Sequence, residues 1–122
     1  MKESKASLLF RHWLRANPQY SCAYEIKKTS GGSIPFASLE DHQQVYLEAI
    51  RGDKGVLVRV QGSSGEPDYV YLRNCRACVV VKYPHSFEII DIDTWVLEKS
   101  KSTRRSLTSA RAREISTISV KL

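Results

Sequence analysis

Residues 24–29 read YEIKKT, inside a run from Tyr20 to Thr29 rich in aromatic, β-branched and small residues. Asn17-Pro18 and Gly31-Gly32 bound the run, which therefore reads as a strand with turn signals at both ends. Side chains alternate across a strand, so Cys22, Tyr24 and Ile26 share one face. Ser21, Ala23, Glu25, Lys27 and Thr29 share the other. That second face is small, polar and charged, and it borders open space or a site rather than a packed core. The plainer reading is a solvated strand face with a weak pair of opposite charges.

Working outward, an apolar stripe of Leu9, Phe10, Trp13 and Leu14 predicts a helix from about Ser4 to Ala16, stopped by Pro18. After the strand come a glycine turn and SIPF. A second helix is expected from Ser38, with Ser38 and Asp41 as a capping box and Glu40 favouring its positive end. Leu39, Gln43, Tyr46 and Ile50 would share one side, with Val45 and Ala49 adjoining, and Gly52 would end it. GVLVRV (55–60), DYVYL (68–72), ACVVVKY (77–83) and FEIIDI (87–92) read as strands, with QGSSGEP as a loop. The continuous valines of ACVVVKY predict burial on both faces. Asp93 is expected to cap a short helix through TWVLEK, and Thr108 a last one. Trp13 and Trp95 are expected in the core or at a subunit interface. The order implies an α/β domain, a mixed central sheet flanked by helices.

The chain has 122 residues, enough for one domain with a single modest core, and its 42% hydrophobic and 26% charged content is ordinary for a globular protein. No apolar run approaches the roughly 20 residues that span a bilayer. Arg11 and His12 break any signal-peptide pattern, so a cytoplasmic location is expected. Cys22, Cys75 and Cys78 suggest no disulfide framework, and CRAC lacks the second pair that a structural zinc needs. The net charge of +6 is unevenly placed. Residues 99–122 hold seven of the nineteen basic side chains and one of the thirteen acidic ones, leaving twelve of each in residues 1–98. The division expected is a neutral α/β body, 1–98, and a basic helical tail, 99–122. Such a tail suits a polyanion, and Lys99, Lys101, Arg104, Arg105, Arg111 and Arg113 become candidate DNA contacts. The tail can equally be a solubilising segment.

An acid and a lysine one residue apart on a strand, followed by F-x-x-L-x-x-H-Q opening a helix, resemble the PD-(D/E)xK nuclease superfamily. More narrowly, YEIKKTSGGSIPFASLEDHQQVYLEAI is similar to the Holliday junction resolvase branch and its small phage-encoded members. EPDYVYLRN, ACVVVKYPHSFEIIDIDTWVLEK and RRSLTSARAREI extend the likeness over nearly the whole chain. The resemblance implies a restriction-endonuclease-like core and a homodimer that cleaves branched or duplex DNA with Mg²⁺ or Mn²⁺. It implies Glu25 as a metal ligand, Lys27 as the lysine that orients the attacking water or offsets phosphorane charge, and Gln43 as a contact to the scissile phosphate. Glu25 and Lys27 would stand about 6–7 Å apart along one strand face, with Lys28 turned away. Gln43 can also be an ordinary helix-surface amide.

One part departs from the family pattern. Members usually carry an aspartate, often as Pro-Asp, between the first helix and the E-x-K strand. Here no acidic residue stands between Lys5 and Tyr24. Glu3 and Asp68 are the carboxylates that could supply the second metal ligand; Asp68, following Pro67, can equally close a surface turn. Asp91 and Asp93 fit a structural role better. Two other functions stay open: a DNA-binding module of the same fold that no longer cuts, and an adaptor whose basic tail docks on an acidic protein.

Overall fold

The structure, a computed structural model, describes residues 4–20, 23–62 and 64–122. Glu3, Ser21 and Cys22 lie outside the described residues. Helix α1 (Lys5–Ala16) starts where the Ser4 hydroxyl accepts the Ser7 amide. It stops at Asn17, and Pro18–Tyr20 form one 3-10 turn. Its buried residues are Ala6 and Phe10, whereas Leu9 is exposed. Phe10, Trp13 and Leu14 of the predicted stripe pack on the sheet, and Ala6 rather than Leu9 extends it.

Strand β1 (Ala23–Lys28) runs parallel to β5 (Ala77–Tyr83). β5 pairs antiparallel with β6 (Ser86–Asp91), and β6 pairs antiparallel with β8 (Ile118–Lys121). The result is a mixed four-stranded sheet in the order β1-β5-β6-β8. Cys78, Val79, Val80 and Val81 of β5 are fully buried, as its unbroken apolar run predicts. On one face Phe10 is the hub, its ring 4.7 Å from Tyr24 and 5.9 Å from Phe87. Cys78, Val80 and Ile89 complete that layer.

The opposite face carries the larger core: Val79, Val81, Ile90 and Tyr83 pack with Leu47 and Ile50 of α2 (Asp41–Arg51), Trp95 of α3 (Ile92–Lys101) and Ala112 of α4 (Ser109–Ile115). The molecule is thus mixed α/β, with α1 on one side of the sheet and α2, α3 and α4 on the other. Two small ribbons complete it. β2 (Ser33–Pro35) pairs with β7 (Ser106–Thr108), and β3 (Val56–Gln61) with β4 (Pro67–Leu72). The β3–β4 hairpin is not hydrogen-bonded to the main sheet and exposes Leu57, Tyr69, Val70 and Tyr71.

Three expectations are corrected. Helix α2 begins at Asp41, not Ser38; Phe36–Ser38 form a 3-10 turn and Glu40 is the N-cap. Its buried side is accordingly Leu47 and Ile50, while Val45 and Tyr46 are exposed. The cap of α3 is Asp91 rather than Asp93, because β6 runs straight into the helix; Asp93 sits in the first turn and pairs with Arg51 at 3.4 Å. Residues 99–122 are not a helical tail. They finish α3 and then supply β7, α4 and β8, whose Val120 and Ile118 pack in the Phe10 layer. An apolar alternation too short to stand out among basic residues explains the omission. Thr108 caps α4 as expected, accepting from the Arg111 amide at 3.2 Å. Among the described residues, no helix is long and apolar enough to cross a membrane.

Arg111 clamps α4 to α3. Its Nε and Nη2 donate to the two oxygens of Glu98 at 2.8 and 3.1 Å, and Nη1 donates to Glu114 at 2.8 Å. The hydrogen bond from Arg111 is the main reason that the Glu98 carboxyl lies below its ordinary pKa. A carboxyl lowered on folding contributes stability that is complete above its unfolded pKa and fades as pH falls through the folded one. Glu98→Gln should therefore lower the melting temperature at pH 7, and the gap to the parent should narrow as the pH falls below the ordinary carboxylate range. A gap that does not change with pH would contradict the clamp.

Candidate active site

Alternation on β1 sends Tyr24 and Ile26 into the Phe10 layer and Glu25 and Lys27 to the α2 side. The division of faces follows the sequence reading. Lys27 Nζ lies 3.6 Å from Glu25 Oε1, with side chains 20% and 34% exposed. Both are half-sunk at the sheet edge. Lys28, on the other face, is exposed.

Gln43 joins them from α2. Its Nε2 donates to Glu25 Oε1 at 3.0 Å, and its Oε1 accepts the Glu40 backbone amide at 3.0 Å. As the third residue of the helix, Gln43 thus satisfies one of the otherwise unpaired amides at the N-terminus. The two bonds also fix which end of the amide faces Glu25. Three of the residues singled out in the sequence therefore meet, across eighteen positions of chain between Glu25 and Gln43. Lys27 and Gln43 both address Oε1; Oε2 of Glu25 has no polar partner among the described residues.

Of the other acidic candidates, Glu3 lies outside the described residues, and Asp68, Asp91 and Asp93 do not join this group. Asp68 stands on β4 opposite Val60, in the separate hairpin. A Cβ built on Gly62 would lie 2.8 Å from Asp68 Oδ2, so the carboxylate folds over the turn of its own ribbon. That is the turn-closing role. Asp91 accepts from Cys78 Sγ at 3.3 Å on the α1 side. Among the described residues, no three His, Cys, Asp or Glu side chains converge as a metal-binding group. Among the described residues, Glu25 is the candidate acid that remains.

The basic candidates divide. Lys99, Arg104 and Arg105 line one cleft of about 410 Å³ with Ser102, Thr103, Phe36 and Ala37. Lys99 Nζ also reaches Gln44 Oε1, beside Gln43, at 3.4 Å. Lys101 ends α3, exposed. Arg111 is committed to Glu98 and Glu114, which takes its guanidinium away from the DNA contact expected of it. Arg113 stands elsewhere, in a cleft against β8.

Glu88 escaped the sequence reading. It is fully buried on β6, in register with Val81, which pairs with Lys27 on β1. Ser119 Oγ donates to its Oε1, while Oε2 lacks a partner among the described residues. Burial and the Glu88 charge together push the Tyr83 hydroxyl above its ordinary pKa. The signal was present in FEIIDI: one acid at an inward position of an otherwise apolar strand.

Comparison with protein-family models, curated proteins and solved structures yielded no match.

Because Gln43 both caps α2 and holds Glu25, Gln43→Ala should cost about 1 kcal/mol in urea denaturation, from two part-exposed hydrogen bonds. Hydrogen exchange at the Glu40 amide should accelerate at the same time. Unchanged protection at Glu40 would show that the bridge does not form.

Proposed function

We propose that the chain is a metal-dependent DNA endonuclease of the Holliday junction resolvase type, built on a restriction-endonuclease-like core and acting as a homodimer on branched or duplex DNA. The observation that carries the reading is the convergence of Glu25, Lys27 and Gln43 at one edge of the sheet. An acid, a lysine and an amide drawn from a strand and a neighbouring helix supply the part of the donor set that the resemblance assigns to this strand and helix. The PD-(D/E)xK resemblance chose the same three residues.

Mg²⁺ and Mn²⁺ take hard oxygen ligands, and Mg²⁺ is held by one or two carboxylates together with waters and substrate phosphates. Glu25 fits that minimum, since among the described residues its Oε2 has no polar partner while Oε1 is held by Lys27 and Gln43. Such an ion supplies Lewis-acid polarisation of the phosphate. Lys27 brings a positive charge against the non-bridging oxygens as they gain charge. Gln43, fixed at both ends of its amide, keeps Glu25 from rotating away and presents an uncharged donor edge. The cleft of Lys99, Arg104 and Arg105 is assigned to the DNA backbone, where each phosphate neutralised releases counterions.

That Glu25 is the one carboxylate of the group among the described residues favours a competing reading, a DNA-binding module of the same fold that does not cut. The two separate on incubation of four-way junction and plasmid DNA with Mg²⁺, Mn²⁺ or EDTA. Cleavage with metal and none with EDTA is expected. Glu25→Gln and Lys27→Ala should each lower the rate about a hundredfold or more with little change in DNA affinity, whereas Lys28→Ala should matter far less. Equal losses at Lys27 and Lys28 would sink the face assignment. Binding without cleavage under any metal would leave the module.

A further inference from the structure

At the far edge of the main sheet, Arg113 of α4, His85 of the β5–β6 turn and Lys121 of β8 line a cleft of about 300 Å³ with the hydroxyls of Ser86 and Ser119. The size lies at the lower end of small-ligand pockets. Among the described residues, none of the three basic side chains has an ion-pair or hydrogen-bond partner. Arg111, two residues earlier on the same helix, is by contrast tied to two carboxylates. Gathering unpaired cations costs repulsion that a surface normally avoids by interspersing acids. Glu88 is the nearby acid, since Ser119 donates to it, but it is wholly buried and pairs with none of them. It offsets at most one of the two permanent charges. Excess positive charge, a guanidinium that can fork onto two oxygens, and a concave wall together suit a tetrahedral oxyanion.

We propose that this cleft binds a phosphate group, held by Arg113, Lys121 and His85. Ser86, Ser119 and Lys121 stand on the same sheet face as Glu25 and Lys27, as the contact of Ser119 with Glu88 requires. Three strand spacings separate β1 from β8, about 14 Å. Helices α2, α3 and α4 cover that face between the two edges, so a nucleic-acid backbone that meets Glu25 reaches the second cleft around them, with a different phosphate. This source of the phosphate rests on the nuclease reading; the phosphate chemistry of the cleft does not.

The test uses the full chain with inorganic phosphate and, separately, a duplex DNA of defined length. Arg113→Ala, Lys121→Ala and Lys121→Glu alter exposed side chains and should fold like the parent. With DNA, each alanine variant should lower the slope of log affinity against log salt by about one, and Lys121→Glu should weaken binding further. With inorganic phosphate, the amide resonances of Ser119 and Lys121 in the parent should shift saturably, and the double alanine variant should lose the shift. A DNA effect identifies a backbone phosphate, and a response to inorganic phosphate alone identifies a small phosphate ligand; either supports the cleft. If neither probe distinguishes parent from variants, the proposal is overturned. The phosphate titration is independent of cleavage, so a protein that binds phosphate here and never cuts DNA would fail only the nuclease reading.

Discussion

The amide of Gln43 is the interaction on which the arrangement depends. One end accepts from the Glu40 backbone and so sets where α2 begins; the other donates to Glu25 on β1. A helix starting one turn earlier, as Ser38 suggests in the sequence, would put Gln43 beyond its first turn and take away its capping role. Local capping and the candidate chemistry are therefore the same contact. A site built this way is held before any substrate arrives, because the helix cannot unwind its first turn without releasing the acid.

Beneath that contact lies β5, buried on both faces. It fixes β1 in parallel register, Glu25 beside Val79 and Lys27 beside Val81, and it leaves the polar face of β1 at an open sheet edge. The larger core packs Phe36 edge-to-face against Trp95, ring centroids 5.3 Å apart, which anchors the segment entering α2. Rigid apolar packing on both sides thus positions two charged groups and an amide at the margin. The β3–β4 hairpin, with little support from the main sheet, contributes nothing visible to that margin.

Much of this was legible in the sequence. The alternation in YEIKKT assigned Glu25 and Lys27 to one face, the valine run marked β5 as central, and the E-x-K and H-Q pattern picked Gln43. The failures have physical causes. By residue type Ser38 is the better cap, but a proline-led 3-10 turn occupies Phe36–Ser38, and Glu40 caps α2 through its reciprocal bonds with Gln43. β8 was missed because ISVK is four residues long and takes its strand identity from pairing with β6. Arg111 was counted with its basic neighbours because its partner Glu98 comes from another helix. Asp68 was considered for the site because nothing in a sequence tells which sheet a hairpin joins. The conjunction of Ser119 with Glu88, and of Arg113 with Lys121 and His85, depends entirely on the third dimension.

The central claim is that Glu25 holds a divalent cation jointly with a DNA phosphate. Mn²⁺ binding, followed by electron paramagnetic resonance of the free cation, tests it most directly in the Lys27→Ala background, where cutting is slow. Tight binding is expected only when Glu25 and DNA are both present, and Glu25→Gln should abolish the DNA-dependent fraction. Mn²⁺ uptake by the DNA complex that is indifferent to Glu25→Gln would contradict the claim.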